Sequence, residues 1–399
     1  MNQLPTLNHC CRRDLLRYSL ALAAGRIVVP SWAAEQDSSL APLTTVKWDD
    51  GKKTHTQDGK ILIEAQDGGV VLLSRDGQIW FVEGDQVKLK TTEEKVSFSS
   101  WDADRIGRQI QQELGFGFQT MKYDPLIIVT NTSQGYAKWC GDLFSRLAYG
   151  FQRYWKADRL PITDAKFPLP ILIFASRKQF ADYALSTADA ATAQALGYYS
   201  IRTNRVAMYD ITADEQGRPA RDFNDVGRKM SKQISNVTTM VHEATHQFAF
   251  NYGLHTRFAD NPLWLVEGMA MFFEVPDLNS VSGWASIGKP NKPRVAQFAN
   301  WFKSGDRPQD SLKSLVRDDV RFTDAETAGL AYAEAWGLTY YLIQERRQDY
   351  TAFVKHISEK KILEYLEPEE RLREFEKFFG NDWTKLDDQM LTVLKRIRR

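Results

Sequence analysis

Apolar and polar positions divide the chain into a short β-rich stretch, an alternation of strands and helices, and a helical end. Residues 35–58 are polar, with a Ser-rich start, and read as a linker. Three apolar runs follow, K-I-L-I-E-A, V-V-L-L-S-R and Q-I-W-F-V-E, punctuated by D-G-G, D-G and G-D. Runs of that length between turn glycines predict a small antiparallel β-meander module over 59–98. From Asp102 the period changes. D-A-D-R-I-G-R-Q-I-Q-Q-E-L, residues 102–114, predicts an amphipathic helix capped by Asp102. Apolar strands are expected at 125–131 and 170–175, with a long aromatic-rich helix at 133–156 between them and a Ser176-capped helix after the second. Such alternation implies a sheet covered on at least one face. G-Y-Y-S-I-R-T-N-R-V-A-M-Y-D, residues 197–210, predicts a hairpin turning at Thr203-Asn204, and 211–231 reads as a polar loop.

The clearest helical pattern is K-Q-I-S-N-V-T-T-M-V-H-E-A-T-H-Q-F-A-F-N-Y, residues 232–252. It holds no Gly or Pro, its apolar positions Val237, Val241, Ala244 and Phe248 recur at three or four, and Gly253 is a natural stop. A second helix is expected over 260–274, D-N-P-L-W-L-V-E-G-M-A-M-F-F-E, with Asp260 or Asn261 as cap and Pro262 in its first turn. A loop then runs to about 292, past Pro276 and Pro290, before further helices at 295–302, at 325–346 and three times more. The fold class expected is therefore α+β: a mixed sheet with helices over 99–253, then a mostly helical part over 254–399.

Composition narrows the class. The 399 residues are 43% hydrophobic and 26% charged, ordinary for a globular protein with room for two domains. A formal net charge of +1 argues against a nucleic-acid partner. Residues 1–34 look like an export signal. C-R-R-D-L-L-R carries a twin-arginine pattern at Arg12-Arg13, a short apolar stretch follows, and Ser31-Trp32-Ala33 suits cleavage. A general secretory signal with incidental arginines is the other reading. Arg26 interrupts the apolar run, so no stable membrane span is expected. An exported protein, periplasmic or extracellular, is the expectation. Beyond the signal only Cys140 remains, so no internal disulfide can form, and its apolar surroundings suit buried packing.

The candidate chemistry lies in the two central helices. His242 and His246 are four apart and leave one helical face a turn apart. Two neutral imidazoles so placed can share a Zn2+ ion, and Glu243 beside the first can take a proton from a water on that ion. Glu267 sits among Leu263, Trp264, Val266, Met271 and Phe273. A carboxylate in such company is costly unless paired or bound to metal, so Glu267 is the candidate third ligand, with an ordinary salt bridge as the alternative. His255, nine after His246, lacks metzincin spacing, and neither a Gly-rich phosphate loop nor a G-x-S-x-G elbow is present.

H-E-A-T-H followed by P-L-W-L-V-E-G-M-A resembles the gluzincin metallopeptidases, in particular their peptidase MA-like branch. V-H-E-A-T-H-Q with W-L-x-E-G is similar to a group labelled a domain of unknown function. The resemblance is specific over 236–274 and continues weakly through A-Y-A-E-A-W and F-E-K-F-F-G. It implies a zincin-like metallopeptidase domain over 99–399, His242, His246 and Glu267 as zinc ligands, Glu243 as general base, and a peptide or protein substrate. It also suggests R-V-A-M-Y-D, 205–210, as the sheet edge that pairs with extended peptide, though an ordinary hairpin fits as well. Tyr332, in A-Y-A-E-A-W, is the candidate oxyanion stabiliser by position; a core aromatic is the alternative, and Tyr340, Tyr341 and His255 stay open. Met271 stands where thermolysin-like gluzincins carry an acidic residue, leaving the partner of the first histidine unidentified. The competing function is a non-catalytic binding or cell-envelope protein on the same scaffold, with its metal structural or absent.

Overall fold

The computed structural model describes residues 27–28, 41–213, 218–305 and 307–397. It contains two sheets and a helical C-terminal part, and among the described residues no helix is long and apolar enough to cross a membrane. Most of the expected export signal lies outside the described residues.

The first sheet is antiparallel throughout. It comprises β1 (Ile27–Val28), β2 (Pro42–Asp49), β3 (Thr54–Ala65), β4 (Val70–Ser74), β5 (Ile79–Val82) and β6 (Val87–Ser97), ordered β5-β4-β3-β2-β6 with β1 paired to β3. The expected meander is its β3-β4-β5 half. The linker expected over 35–58 is corrected from Pro42 onward: β2 and the first part of β3 occupy that stretch. Val46 and Trp48 of β2 enter a small core with Ile61, Val70, Leu72 and Val82. β6 is exposed along nearly all its length and is a strand by pairing with β2 rather than by burial.

The module is docked. Ile79 N–H donates to Arg202 O at 2.8 Å, Arg257 Nη1 donates to Gly77 O at 2.8 Å, and Phe81 meets Phe258 edge-on with ring centroids 4.8 Å apart.

The second sheet is mixed. It holds β7 (Gln119–Tyr123), β8 (Leu126–Thr130), β9 (Leu169–Phe174), β10 (Gly197–Ser200) and β11 (Arg205–Tyr209), ordered β10-β11-β9-β8-β7. β8, β9 and β11 run parallel, and β7 and β10 are antiparallel edges. β8, L-I-I-V-T, is buried at every position, as a strand covered on both faces must be. Ile127, Val129, Leu172 and Phe174 pack on α1 (Ala103–Leu114) and α3 (Arg177–Thr187); Ile128, Ile171 and Ile173 face α2 (Gln134–Ala157) and the main core. Asp102 and Ser176 cap α1 and α3 through their side chains. The hairpin turns at Asn204, whose φ of 60° is left-handed. R-V-A-M-Y is not the edge. β11 pairs with both β9 and β10, which leaves G-Y-Y-S as the edge strand, and that strand is buried at all four residues. The polar loop expected at 211–231 contains α4 (Phe223–Met230), capped by Asp222.

Beneath β10 and β11 lies α5 (Ile234–Asn251), which Gly253 follows with φ +86°. α6 (Leu263–Phe273) packs against α5. Its expected cap is corrected: Leu263 N–H donates to Asp319 Oδ1, while Asp260 is taken up by Arg371 and Lys360. Beyond it follow α7 (Lys292–Ser304), α8 (Ser311–Arg317), α9 (Val320–Thr323), α10 (Ala328–Glu345), α11 (Arg347–Ser358), α12 (Pro368–Phe379) and α13 (Trp383–Ile397), of which α10 lies against α6.

Candidate metal centre

α5 is buried almost without interruption from Val237 to Ala249, which its polar residues tolerate only if they are satisfied. Thr245 returns its hydroxyl to Val241 O, and Gln247 donates to Pro170 O and Asn204 O, pinning the helix under the sheet. His242 and His246 project one turn apart toward α6, where Glu267 meets them. His242 Nε2 is 3.0 Å from His246 Nε2 and 3.1 Å from Glu267 Oε2, and His246 Nε2 is 3.5 Å from the same oxygen. Ligand atoms of these three residues all lie within 4.8 Å of one another.

This triangle fits a zinc ion. Donors about 2.0–2.1 Å from a tetrahedral zinc stand about 3.3 Å from each other, close to the three separations seen. Three acceptors turned on one point repel unless a cation or a proton lies between them. Two imidazoles and a carboxylate also suit zinc chemically and leave the fourth tetrahedral corner free.

The opposite side of His242 is equally constrained. Its Nδ1 lies 3.0 Å from Glu274 Oε2. A carboxylate can only accept, so Nδ1 carries a proton toward Glu274, and Nε2 is the nitrogen left to share a proton or a cation with the triangle. Glu274 in turn accepts from Asn291 Nδ2 at 2.5 Å and from Arg294 Nε at 3.4 Å. Burial works to raise this carboxyl, but Arg294 and His242 hold it below its usual range. Sequence reasoning missed Glu274. Its signal was available: Glu267, Met271 and Glu274 share one helical face at steps of four and three. A cavity of about 1200 Å3 adjoins Glu274, lined also by Thr239, Val275, Pro290, Asn291 and Val295.

Glu243 is fully buried and stands outside the triangle. Its Oε2 accepts from Tyr199 N–H of β10 at 2.9 Å. Burial raises its carboxyl, against the opposing pull of His242 and His246. A carboxylate held this way is receptive to a proton. The ring of Tyr332 meets Phe322 edge-on, and the Arg294 guanidinium sits 5.8 Å from its centre. It thus joins the centre through Arg294 and Glu274. The site is closed in this conformation, with His246 and Glu267 each 3% exposed.

Residues 236–364 match the family described as "Protein of unknown function (DUF1570)", a span that takes in α6 and nearly all of α5. That description names no activity. No curated protein matches the chain.

Proposed function

We propose that this chain is an exported, zinc-dependent peptidase with a zincin-like catalytic domain. The observation that carries the reading is the triangle of His242, His246 and Glu267, at zinc-ligand spacing with a fourth corner free, beside the separate buried carboxylate of Glu243. Zinc, when bound, lowers the pKa of a coordinated water and polarises a carbonyl. Glu243 takes the water's proton and passes it to the leaving amine. Tyr199 N–H fixes the Glu243 carboxylate while it does so. By its position in A-Y-A-E-A-W, Tyr332 is one candidate aid to the developing oxyanion. Export rests on the sequence of residues 1–34: Arg12-Arg13, the apolar stretch after them and Ser31-Trp32-Ala33.

The burial of the site and of β10 favours a second reading, a structural metal on a binding protein. Structural zinc sites, however, close all four corners with protein ligands, and among the described residues three converge here. Glu243→Gln separates the two. A peptidase variant keeps its zinc and fold and loses at least about 100-fold in peptide cleavage. Equal cleavage by the variant would remove Glu243 from the mechanism, and a zinc-loaded wild type inert toward a diverse peptide library would favour the binding protein.

A further inference from the structure

His242, His246 and Phe250 are spaced by four and leave α5 on one face. His255 lies just past the helix end, and its ring packs edge-on against Phe250 with centroids 5.3 Å apart. Tyr199 stacks on Phe250 as well, at 5.8 Å, and its N–H is the group that holds Glu243. His255 thus packs on the residue one turn past His246, and Phe250 links it to Tyr199 of the strand that holds Glu243.

His255 is 2% exposed, and neither Nδ1 nor Nε2 has a hydrogen-bond partner. Among the described residues it is the one side chain whose two polar atoms are both orphaned in this way. A buried, unsatisfied donor or acceptor is destabilising, so a site that retains two of them on one ring points to a partner supplied by a ligand. Burial, reinforced by His246, pushes the imidazole down to about 3 against a Leu254 main-chain contact that favours the charged form, a contact too poorly aligned to satisfy either nitrogen. The ring is accordingly neutral, with one N–H to give. Of the candidate tyrosines, Tyr341 donates its O–H to Gln389 Oε1 at 2.8 Å, while the rings of Tyr340 and Tyr332 pack on Trp336 and Phe272 and on Phe322, respectively.

We propose that His255 is a substrate-contacting residue of this centre, donating its ring N–H to the carbonyl oxygen of the scissile amide. This rests on the peptidase reading. The water oxygen adds to the carbonyl carbon, its proton passes to Glu243, and the C=O π pair moves onto the oxygen that His255 holds. On collapse the C=O bond reforms, the C–N bond breaks, and the amine leaves with the proton from Glu243. His255 keeps its own proton throughout. A donor aimed at charge that develops only in the transition state acts on kcat more than on KM.

His255→Phe is the test, because it keeps a ring against Phe250 and deletes both nitrogens. The zinc-loaded variant is expected to retain its zinc, to melt no lower than wild type, and to lose about 100-fold in kcat with KM little changed. A structurally required histidine would instead lower the melting temperature. Calorimetry with a phosphinic peptide, whose tetrahedral oxygens mimic the adduct, should show a similar loss of affinity. His255→Gln, which keeps a donor, should recover part of both. An unchanged kcat, a lowered melting temperature with lost zinc, or a larger kcat loss in Tyr332→Phe overturns the proposal. If the zinc-loaded wild type cleaves no peptide, the peptidase reading has failed on its own, and the phosphinic peptide then decides. Affinity weakened in His255→Phe keeps His255 facing the ligand oxygen; absent or unaltered affinity overturns it.

Discussion

His242 Nδ1 and Glu274 Oε2 lie 3.0 Å apart, and this contact decides what His242 can do. With Nδ1 committed to Glu274, the imidazole turns Nε2 toward His246 and Glu267, where a cation in place of the shared proton would meet its lone pair. Glu274 is itself held by Asn291 and Arg294, so the ring orientation is tied to the N-terminus of α7.

Glu274→Ala is therefore expected to weaken zinc binding about 10–100-fold, measured by competition with a chromogenic chelator. Glu274→Gln retains an oxygen that can accept from Nδ1 and should lose less. Unaltered zinc affinity in the alanine variant would mean that Glu274 does not orient the ligand.

The three converging residues were legible because each announces itself locally. Two histidines at a helical step need only a helix, and Glu267 stands out as a charge in an apolar run. Glu274 did not stand out, since it ends α6 and reads as an exposed cap; attention fell on Met271, which proves to be core. The strand edge was misjudged for a different reason. Period and turn residues locate a hairpin, but which arm faces outward depends on pairing with β9, more than thirty residues upstream. β2 went unread because its buried face includes Thr44, satisfied across the sheet by Thr92, so the alternation looks polar.

A hydrogen bond from Arg257 Nη1 to Gly77 O at 2.8 Å ties the β module to the segment after α5. Arg257 Nη1 also reaches Ile201 O at 3.2 Å. Arg257→Ala leaves both carbonyls short of a donor, at a cost of about 1–3 kcal/mol. Faster hydrogen exchange is expected at Ile79 N–H, whose acceptor Arg202 O belongs to the same contact. Exchange unchanged at Ile79 would show the module held by other contacts.

The metal-free protein should show a distinctive pH profile. Burial works to lower the His242 imidazole, but Glu267 and Glu274 outweigh it and raise the ring from 6.5 to about 10. Stability from this raised group is complete below 6.5 and is lost as pH rises toward about 10. Burial works to raise Glu267, yet His246 and His242 hold it below 4.5, so its contribution is present above 4.5 and lost as pH falls through the lowered value. Zinc, when bound as proposed, would take the place of the shared proton and need the deprotonated ring. The melting-temperature gap between zinc-loaded and chelated protein should thus widen from pH 6.5 upward. Parallel curves would argue that no cation occupies the triangle.

Gly268, next to Glu267, sets how closely α6 lies on α10. A Cβ there would fall 2.0 Å from Thr339 Oγ1 and 2.8 Å from Ala335 O. Intrinsic helix propensity alone would make Gly268→Ala stabilising by about 1 kcal/mol. Overpacking opposes this with about 1–3 kcal/mol, and Ala335 O is main chain, unable to rotate away. The clash should win: Gly268→Ala is expected to lower the melting temperature. Because α6 carries Glu267 one residue earlier, the same shift should draw the third ligand off the triangle and weaken zinc binding. Thr339→Ala in the same chain relieves the hydroxyl contact but not the carbonyl one, so it should restore only part of either loss. Stability and zinc affinity both preserved in the single variant would mean that α6 can slide on α10 without disturbing Glu267, and that the close packing of the two helices does not position the ligand.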